Sequence, residues 1–248
     1  MRPADDEAAA SKAGDTEAPQ YRLVWDLPVR VVHWTLVLAF IGAYVTDRAG
    51  VKYFKYHTWC GYAVIVLASF RILWGVVGTR HARFSNFLRG PVATVRYAVS
   101  VLKGAGPAQV GHNPLGAWMV VIVLIALLAQ AIAGLFGNDE IFNFGPLYGY
   151  VSDARSLALT SFHRRSFYWL LGLVVLHVLA VAAHWVLKKQ NLVRPMVTGY
   201  KPAPEVPPEL AIRGSRLPLA AAILIALAAA LAWVVVHAPS PSGPGSFD

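Results

Sequence analysis

HRRSFYWLLGLVVLH, the stretch His163–His177, places one histidine at each end of an apolar run. On an α-helix the 14-residue separation is almost four whole turns, so both rings project from one face, about 21 Å apart along the axis. Ionisable side chains at membrane depth are costly and usually mark a functional site. This stretch therefore predicts one helix that contributes to two sites at two depths.

Long apolar runs dominate the rest of the chain. Of its 248 residues, 56% are hydrophobic and only 14% are charged, whereas a soluble domain carries roughly 25% charged residues. Five runs have the length of about 20 residues expected of membrane spans, and helices are expected because unpaired backbone groups cannot face lipid. The sequence predicts an all-α integral membrane protein with spans at Val29–Val45, His57–Val77, Leu115–Phe136, Phe162–Leu187 and Leu217–His237.

The positive charge is distributed unevenly between the two sides of the predicted membrane. Fifteen of the 22 Lys and Arg residues lie in segments on the side of the N-terminus, six lie on the other side, and Arg71 lies inside a span. The positive-inside rule then places the N-terminus in the cytoplasm and the C-terminus outside. The net charge of +9 is explained by this topology and by contact with lipid, so no nucleic acid partner is expected.

The chemistry is expected in one four-helix unit over residues 21–200. The segment ATVRYAVSVLK between the second and third spans is predicted to be an amphipathic helix on the inner surface. The single cysteine, Cys60, excludes an internal disulfide and a four-cysteine iron–sulfur site. The remaining segments are predicted as a disordered cytoplasmic tail at 1–20 without a signal-peptide core, a Pro-rich linker at 201–216, a peripheral fifth transmembrane helix at 217–237 and an external tail at 238–248.

Helix direction pairs the histidines by depth. The first span runs outward and carries His33 near its start, and the second runs inward and starts at His57. The fourth runs inward from His163 to His177, so His57 pairs with His163 outside and His33 with His177 inside. Each pair offers two imidazoles to the two faces of a haem iron, which suits electron transfer. The first four helices are therefore predicted to form a haem-binding transmembrane bundle.

Other interpretations of these histidines remain open. An intramembrane histidine can relay protons, and a zinc or copper site would need its ligands together at one depth. His184 competes with His177, because it lies seven residues further along nearly the same face, about 10 Å closer to the inner surface. His81, His112 and His237 lie at or beyond span ends, where solvated or capping roles are expected.

Three neighbouring residues are candidates to contact the haems. Gly61 lies one turn after His57, where its missing side chain admits either a porphyrin or a neighbouring helix. Arg71 shares the face of His57 at the inner depth, and it either pairs with a haem propionate or extends to the inner surface. Arg30 lies one turn before His33, and it either pairs with a haem propionate or is an inner flanking charge that needs no haem.

Several motifs together carry a resemblance to a known family. They are VWDLPVRVVHW around His33, HTWCGYAVIVLASFRILWG from His57, ARFSNFLRGP, GHNPLG from Gly111, the His163–His177 spacing and NLVRPMVTGY. Over about residues 21–200 the chain resembles the bacterial cytochrome b561 family, and within it the b-type cytochrome subunits of membrane-bound nickel–iron hydrogenases. The resemblance implies an inner-membrane four-helix bundle with b haems on His33, His57, His163 and His177.

The resemblance also implies transfer of electrons between a redox partner and the quinone pool. The leading hypothesis is therefore a di-haem b-type cytochrome whose periplasmic partner is a hydrogenase or a c-type cytochrome. A superoxide:quinone oxidoreductase is an alternative, because Lys52, Lys55, Arg164 and Arg165 could steer a small anion to the outer site. A haem-free membrane anchor is a third interpretation.

Overall fold

The computed structural model describes residues 20–104 and 109–239, so nearly all of both predicted tails lies outside the described residues. Five helices in these ranges are long and apolar enough to cross a membrane, which confirms the predicted all-α membrane fold. The first begins after a short strand, and the second is preceded by a 3₁₀ turn. In chain order the elements are β1 (Tyr21–Leu23), α1 (Leu27–Arg48), the turn Val51–Tyr53, α2 (Phe54–Val77), α3 (Phe84–Phe87), α4 (Pro91–Leu102), α5 (Pro114–Leu135), the 3₁₀ turn Tyr148–Tyr150, α6 (Asp153–Lys188), α7 (Val193–Thr198), β2 (Tyr200–Pro202), the 3₁₀ turns Ala203–Glu205 and Pro208–Leu210, and α8 (Leu217–Val236).

Consecutive membrane-spanning helices pack against each other in the bundle: α1 on α2, α2 on α5, and α5 on α6. Alanines at the contacts let the helix backbones approach closely, as is common between membrane helices. The central core contains Ala39, Val64, Leu127, Ala131 and Leu170. The fifth span, α8, packs mainly on α2 and leaves most of its surface exposed.

The helix α6 begins nine residues before the predicted start of the fourth span at Phe162. Its added turns are polar, but they pack on the loop that follows α5. Ser156 is fully buried and donates a hydrogen bond to the carbonyl of Phe136. The hydroxyl of Thr160 accepts one from the amide of Asn138. These tertiary bonds account for a helix longer than its apolar run.

We call the end of the bundle that contains Trp25 and Trp74 the inner end, after the predicted topology, and the end with His57 and His163 the outer end. At the inner end β2 pairs with β1 in antiparallel register. The Pro-rich segment then packs under the bundle, where Val206 is fully buried and Arg22 donates to the carbonyls of Ala203 and Val206. This segment forms two 3₁₀ turns and no α-helix, and it leads directly into α8.

The buried carboxylate of Asp26 joins three parts of the inner end. One oxygen accepts a hydrogen bond from the amide of Val29 at 2.7 Å and caps the N-terminus of α1. The other accepts bonds from the indole of Trp74, at 3.0 Å, and from the hydroxyl of Thr79. Asp26 is only 1% exposed. The start of α1, the last turn of α2 and the segment after α2 therefore share one acceptor.

We predict that Asp26→Ala destabilises the protein by about 2–4 kcal/mol, because a helix cap is lost and two buried donors lose their acceptor. Thermal unfolding in detergent, followed by circular dichroism, measures the loss. Asp47→Ala is the matched control, because Asp47 is exposed and its ion pair with Arg48 spans 3.9 Å; about 0.5 kcal/mol or less is expected there. Equal losses in the two variants would contradict the prediction.

Candidate functional site

Two pairs of histidines face each other across the bundle. The ring centroids of His57 on α2 and His163 on α6 are 6.0 Å apart, with an angle of 82° between the ring planes. Those of His33 on α1 and His177 on α6 are 6.3 Å apart, at 62°. Two metal–nitrogen bonds of about 2 Å, in line between two imidazoles, put the ring centroids roughly 6 Å apart. Both pairs thus have the separation required to hold one metal atom between them.

Each outer imidazole is oriented by a backbone carbonyl. Nδ1 of His57 donates to the carbonyl of Ala43 at 2.9 Å, and Nδ1 of His163 donates to that of Gln130 at 2.8 Å. In both rings this leaves Nε2 without a proton and available to a metal, with the tautomer fixed by the hydrogen bond. The amide of Gln130 also donates to the carbonyl of His163, so two hydrogen bonds join α5 and α6 at this level.

The third span contributes space as well as a carbonyl. A Cβ atom at Gly134 would lie 2.9 Å from Cε1 of His163, so only glycine fits beside this ring. Gln130 and Gly134 contact the ring or backbone of His163 and belong to this candidate site, and the sequence reasoning missed them. A signal was present, because Gln130 is the only polar side chain in the apolar helix α5.

At the inner site the structure brings His177, and not His184, to His33. Both ring nitrogens of His184 are engaged: Nδ1 donates to the carbonyl of Ala180 at 2.9 Å, and Nε2 lies 3.5 Å from the side-chain amide of Asn113. The contact with Asn113 places His184 at the N-terminal end of α5 and away from the His33–His177 pair. His33 also packs against the indole of Trp34.

Arg71 is buried at 6% exposure and does not extend to the inner surface. Its Nη1 donates to the carbonyl of Ala82 at 3.2 Å, and the guanidinium lies over the ring of Phe84. Its Nη2 has no hydrogen-bond partner among the described residues. A buried cation with one free donor is suited to an anionic group.

Arg30 and Gly61, the other two candidates for haem contact, lie in different surroundings. Arg30 donates to the carbonyl of Val197 and so ties α1 to α7. A Cβ atom at Gly61 would meet nothing within 4 Å among the described residues. The space beside this glycine is therefore open to a flat group.

The structure packs His81 and His112 into the inner end, where the sequence predicted solvated or capping roles. The ring of His112 lies 4.7 Å from those of Trp25 and Phe87, because the GHNPLG turn folds under the bundle. Burial and the charge of Arg71 lower the pKa of His112 to about 3. Burial also lowers the pKa of His81, whose Nε2 bonds to the carbonyl of Leu210. His237 is exposed, as expected.

An aromatic stack lies one turn inward from the outer pair. Phe167 stacks on Tyr44 with ring centroids 5.6 Å apart and on Phe40 at 6.0 Å. Because Phe167 follows His163 by four residues on α6, the stack lies between the two histidine levels. It joins α1 to α6 and is a second feature that the sequence reasoning missed.

Together these residues fit haem better than a metal bound by protein alone. No group of three or more His, Cys, Asp or Glu side chains converges in the parts of the chain that the structure describes. Each level instead offers two imidazoles, as six-coordinate haem iron requires. Open space at Gly61 and a buried, unpaired donor on Arg71 suit a flat macrocycle that carries carboxylates.

Comparison with known proteins gives consistent results. The model of the family described as prokaryotic cytochrome b561 matches residues 24–199, so β2 and α8 lie beyond the match. A probable Ni/Fe-hydrogenase B-type cytochrome subunit of Cupriavidus necator is 26% identical over 229 residues, covering 79% of this chain and 92% of the relative. The corresponding protein of Rhodobacter capsulatus is 26% identical over 216 residues, covering 72% and 80%. A probable Ni/Fe-hydrogenase 1 B-type cytochrome subunit of Escherichia coli K12 is 24% identical over 212 residues, covering 72% and 89%.

We predict that Gly134→Ala weakens metal ligation at the outer level only, because the added Cβ displaces the His163 ring from the carbonyl of Gln130. The absorption spectrum of the purified protein, with haem counted per chain, measures this loss. Gly116→Ala on the same helix is the control, since its Cβ would be 3.4 Å from the nearest atom. Unchanged spectra for Gly134→Ala would show that the ring needs no such space.

Proposed function

Because the chain belongs to the prokaryotic cytochrome b561 family, which makes it a multi-pass membrane b-type cytochrome, we propose that it carries electrons through two haems between a periplasmic redox partner and the quinone pool. The observation that carries the proposal is the geometry of the two histidine pairs. Both pairs have the separation of bis-imidazole ligands, and both include a histidine of α6. The rise of a helix separates the two levels by about 21 Å.

In this proposal His57 and His163 hold the outer haem b, and His33 and His177 hold the inner one. Bound haem supplies one-electron chemistry, and the protein orients it and adjusts its potential. A haem held by two imidazoles would be suited to electron transfer more than to oxygen binding. Gly61 gives the outer macrocycle room, while Arg71 and Arg30 are the candidates to meet propionates of the inner one. Quinone exchanges electrons at one of the two haems.

The distribution of basic residues supports the proposed orientation in a bacterial inner membrane, with a cytoplasmic N-terminus and a periplasmic C-terminus. The outer end then faces the periplasm. Lys52 and Lys55 lie over the rings of Tyr53 and Trp59, which suits anchoring at the membrane interface better than steering of a small anion. A protein donor is therefore favoured over superoxide.

The loop after α5 supports a partner surface at this outer end. The carboxylate of Asp139 accepts hydrogen bonds from the amides of Ile141, Phe142 and Asn143, and this lowers its pKa to about 2 although partial burial acts to raise it. The folded loop leaves Ile141 and Phe142 71% and 74% exposed. A fixed pair of exposed apolar side chains is a common feature of protein interfaces. Since the relatives are named as hydrogenase subunits, a hydrogenase is the proposed partner.

A haem count tests the proposed function first. Two b haems per chain are expected in a pyridine haemochrome assay on the purified protein, and one in His177→Ala, because that variant loses a ligand of the inner pair only. His184→Ala is the matched control and should keep both. Loss of a haem in His184→Ala would reassign the inner site. No haem in folded wild-type protein would exclude electron transfer and leave the anchor interpretation.

The proposed partner requires a separate measurement in membranes of the native host. Hydrogen should reduce the cytochrome, and Ile141→Ser/Phe142→Ser should slow this reduction while dithionite still reduces the variant fully. Val92→Ser/Val95→Ser is the control, because these exposed valines lie on α4 at the inner end. Reduction by a c-type cytochrome and not by hydrogen would replace the hydrogenase. Reduction by superoxide would support the oxidoreductase alternative.

A further inference from the structure

Four buried side-chain nitrogen atoms in the described part of the chain have no hydrogen-bond partner: Nε of Arg30, Nη2 of Arg71, Nε of Arg83 and Nδ1 of His112. Buried polar groups without partners are rare, so each requires an explanation. Arg71 and His112 are joined by a short chain of contacts: the guanidinium of Arg71 lies over Phe84, Phe84 contacts Phe87, and Phe87 contacts His112. They come from α2 and from the turn before α5, elements that are far apart in the sequence.

Arg71 lies at the depth of the inner histidine pair. It follows His57 by 14 residues on α2, as His177 follows His163 on α6, and 14 residues of helix rise about 21 Å. Asn113, the residue after His112, contacts His184, which is seven residues inward from His177 on α6. Seven residues rise about 10 Å, so His112 lies on the inward side of the pair.

Within the described ranges no carboxylate forms an ion pair with Arg71. The carboxylate of Asp26 already accepts bonds from Val29, Trp74 and Thr79. The one ion pair within the described ranges is the distant Asp47–Arg48. A guanidinium donor together with an imidazole whose Nδ1 carries the proton is suited to a carboxylate that the protein does not itself provide. Haem b has two such groups on its propionate side chains.

His112 lies between the buried interior of the bundle and a cavity at the inner end. Trp25 and Phe87 fix its orientation, each with a ring centroid at 4.7 Å. Nδ1 is fully buried, while His112 lines a cavity of about 500 Å³ at the inner end, together with Arg80, His81 and Arg89. His81 differs from His112, because its Nε2 already bonds to the carbonyl of Leu210.

We propose that His112, together with Arg71, binds a propionate carboxylate of the inner haem and is the side chain that separates this carboxylate from the inner-end cavity. The inference rests on the proposed function, since it requires a haem between His33 and His177. It adds a ligand-binding residue that the depth argument did not identify. The role of His112 is one of positioning and charge, because it does not ligate the iron.

Redox titration of the purified holoprotein tests this role, with the inner haem identified as the component missing from His177→Ala. His112→Phe keeps an aromatic ring between Trp25 and Phe87 but removes the donor. The propionate that has lost this donor then favours ferric iron. The ferrous-to-ferric ratio of the inner haem at a fixed potential should therefore fall about 3- to 10-fold, and a tenfold change corresponds to 59 mV for one electron. His112→Asn keeps a donor and should restore most of the ratio, whereas His81→Phe, the matched control, should change it less than about twofold.

Resonance Raman bands of the haem propionates give a second measurement that a purely structural role would not alter. They should shift in His112→Phe and stay unchanged in His81→Phe. An inner haem lost from His112→Phe but kept by His112→Asn would also support the proposal. Potentials and bands equal to wild type in His112→Phe, or an inner haem lost equally from both His112 variants, would overturn it. These results differ from failure of the proposed function, in which wild-type protein itself lacks an inner haem.

Discussion

The separation of two imidazoles on α6 is the constraint on which the rest of the bundle depends. Because His163 and His177 share one face at two depths, each needs a partner from a helix that passes that depth. The chain supplies these partners with helices of opposite direction: α1 carries His33 near its start, and α2 carries His57 near its start. Antiparallel α1 and α2 thereby bring one histidine to each level.

The third span has a different task, because α5 contributes no ligand. It packs between α2 and α6 and supplies the carbonyl of Gln130 and the space at Gly134. Burial from water does not drive membrane helices together, so close packing and hydrogen bonds must do so. At the inner end, where the chain leaves the predicted span, the hydrogen bonds of Asp26 and the buried side chains of Val24 and Val206 add contacts like those in the core of a water-soluble protein.

Much of this arrangement could be predicted from the sequence. Apolar length identified the five spans, and helical rise with chain direction paired the four histidines by depth. The segments that were missed depend on contacts between distant residues. The strand pair β1–β2 joins residues almost 180 positions apart, and the first turns of α6 are helical because Ser156 and Thr160 bond to the loop after α5. His112 lies beyond a span end, so only its packing against Trp25 distinguishes it from a solvated histidine.

The two histidine levels on α6 would act differently on a bound metal. At the outer level each imidazole donates Nδ1 to a carbonyl, which makes the ligand nitrogen more basic and favours the more highly charged iron. At the inner level neither His33 nor His177 makes such a bond to any described residue, and the buried guanidinium of Arg71 lies at the same depth, where its charge would favour the less charged iron. The two effects would act in opposite senses about 21 Å apart. A single helix thus presents two similar histidine pairs in dissimilar fields, so equal metal groups bound at the two levels would differ in potential.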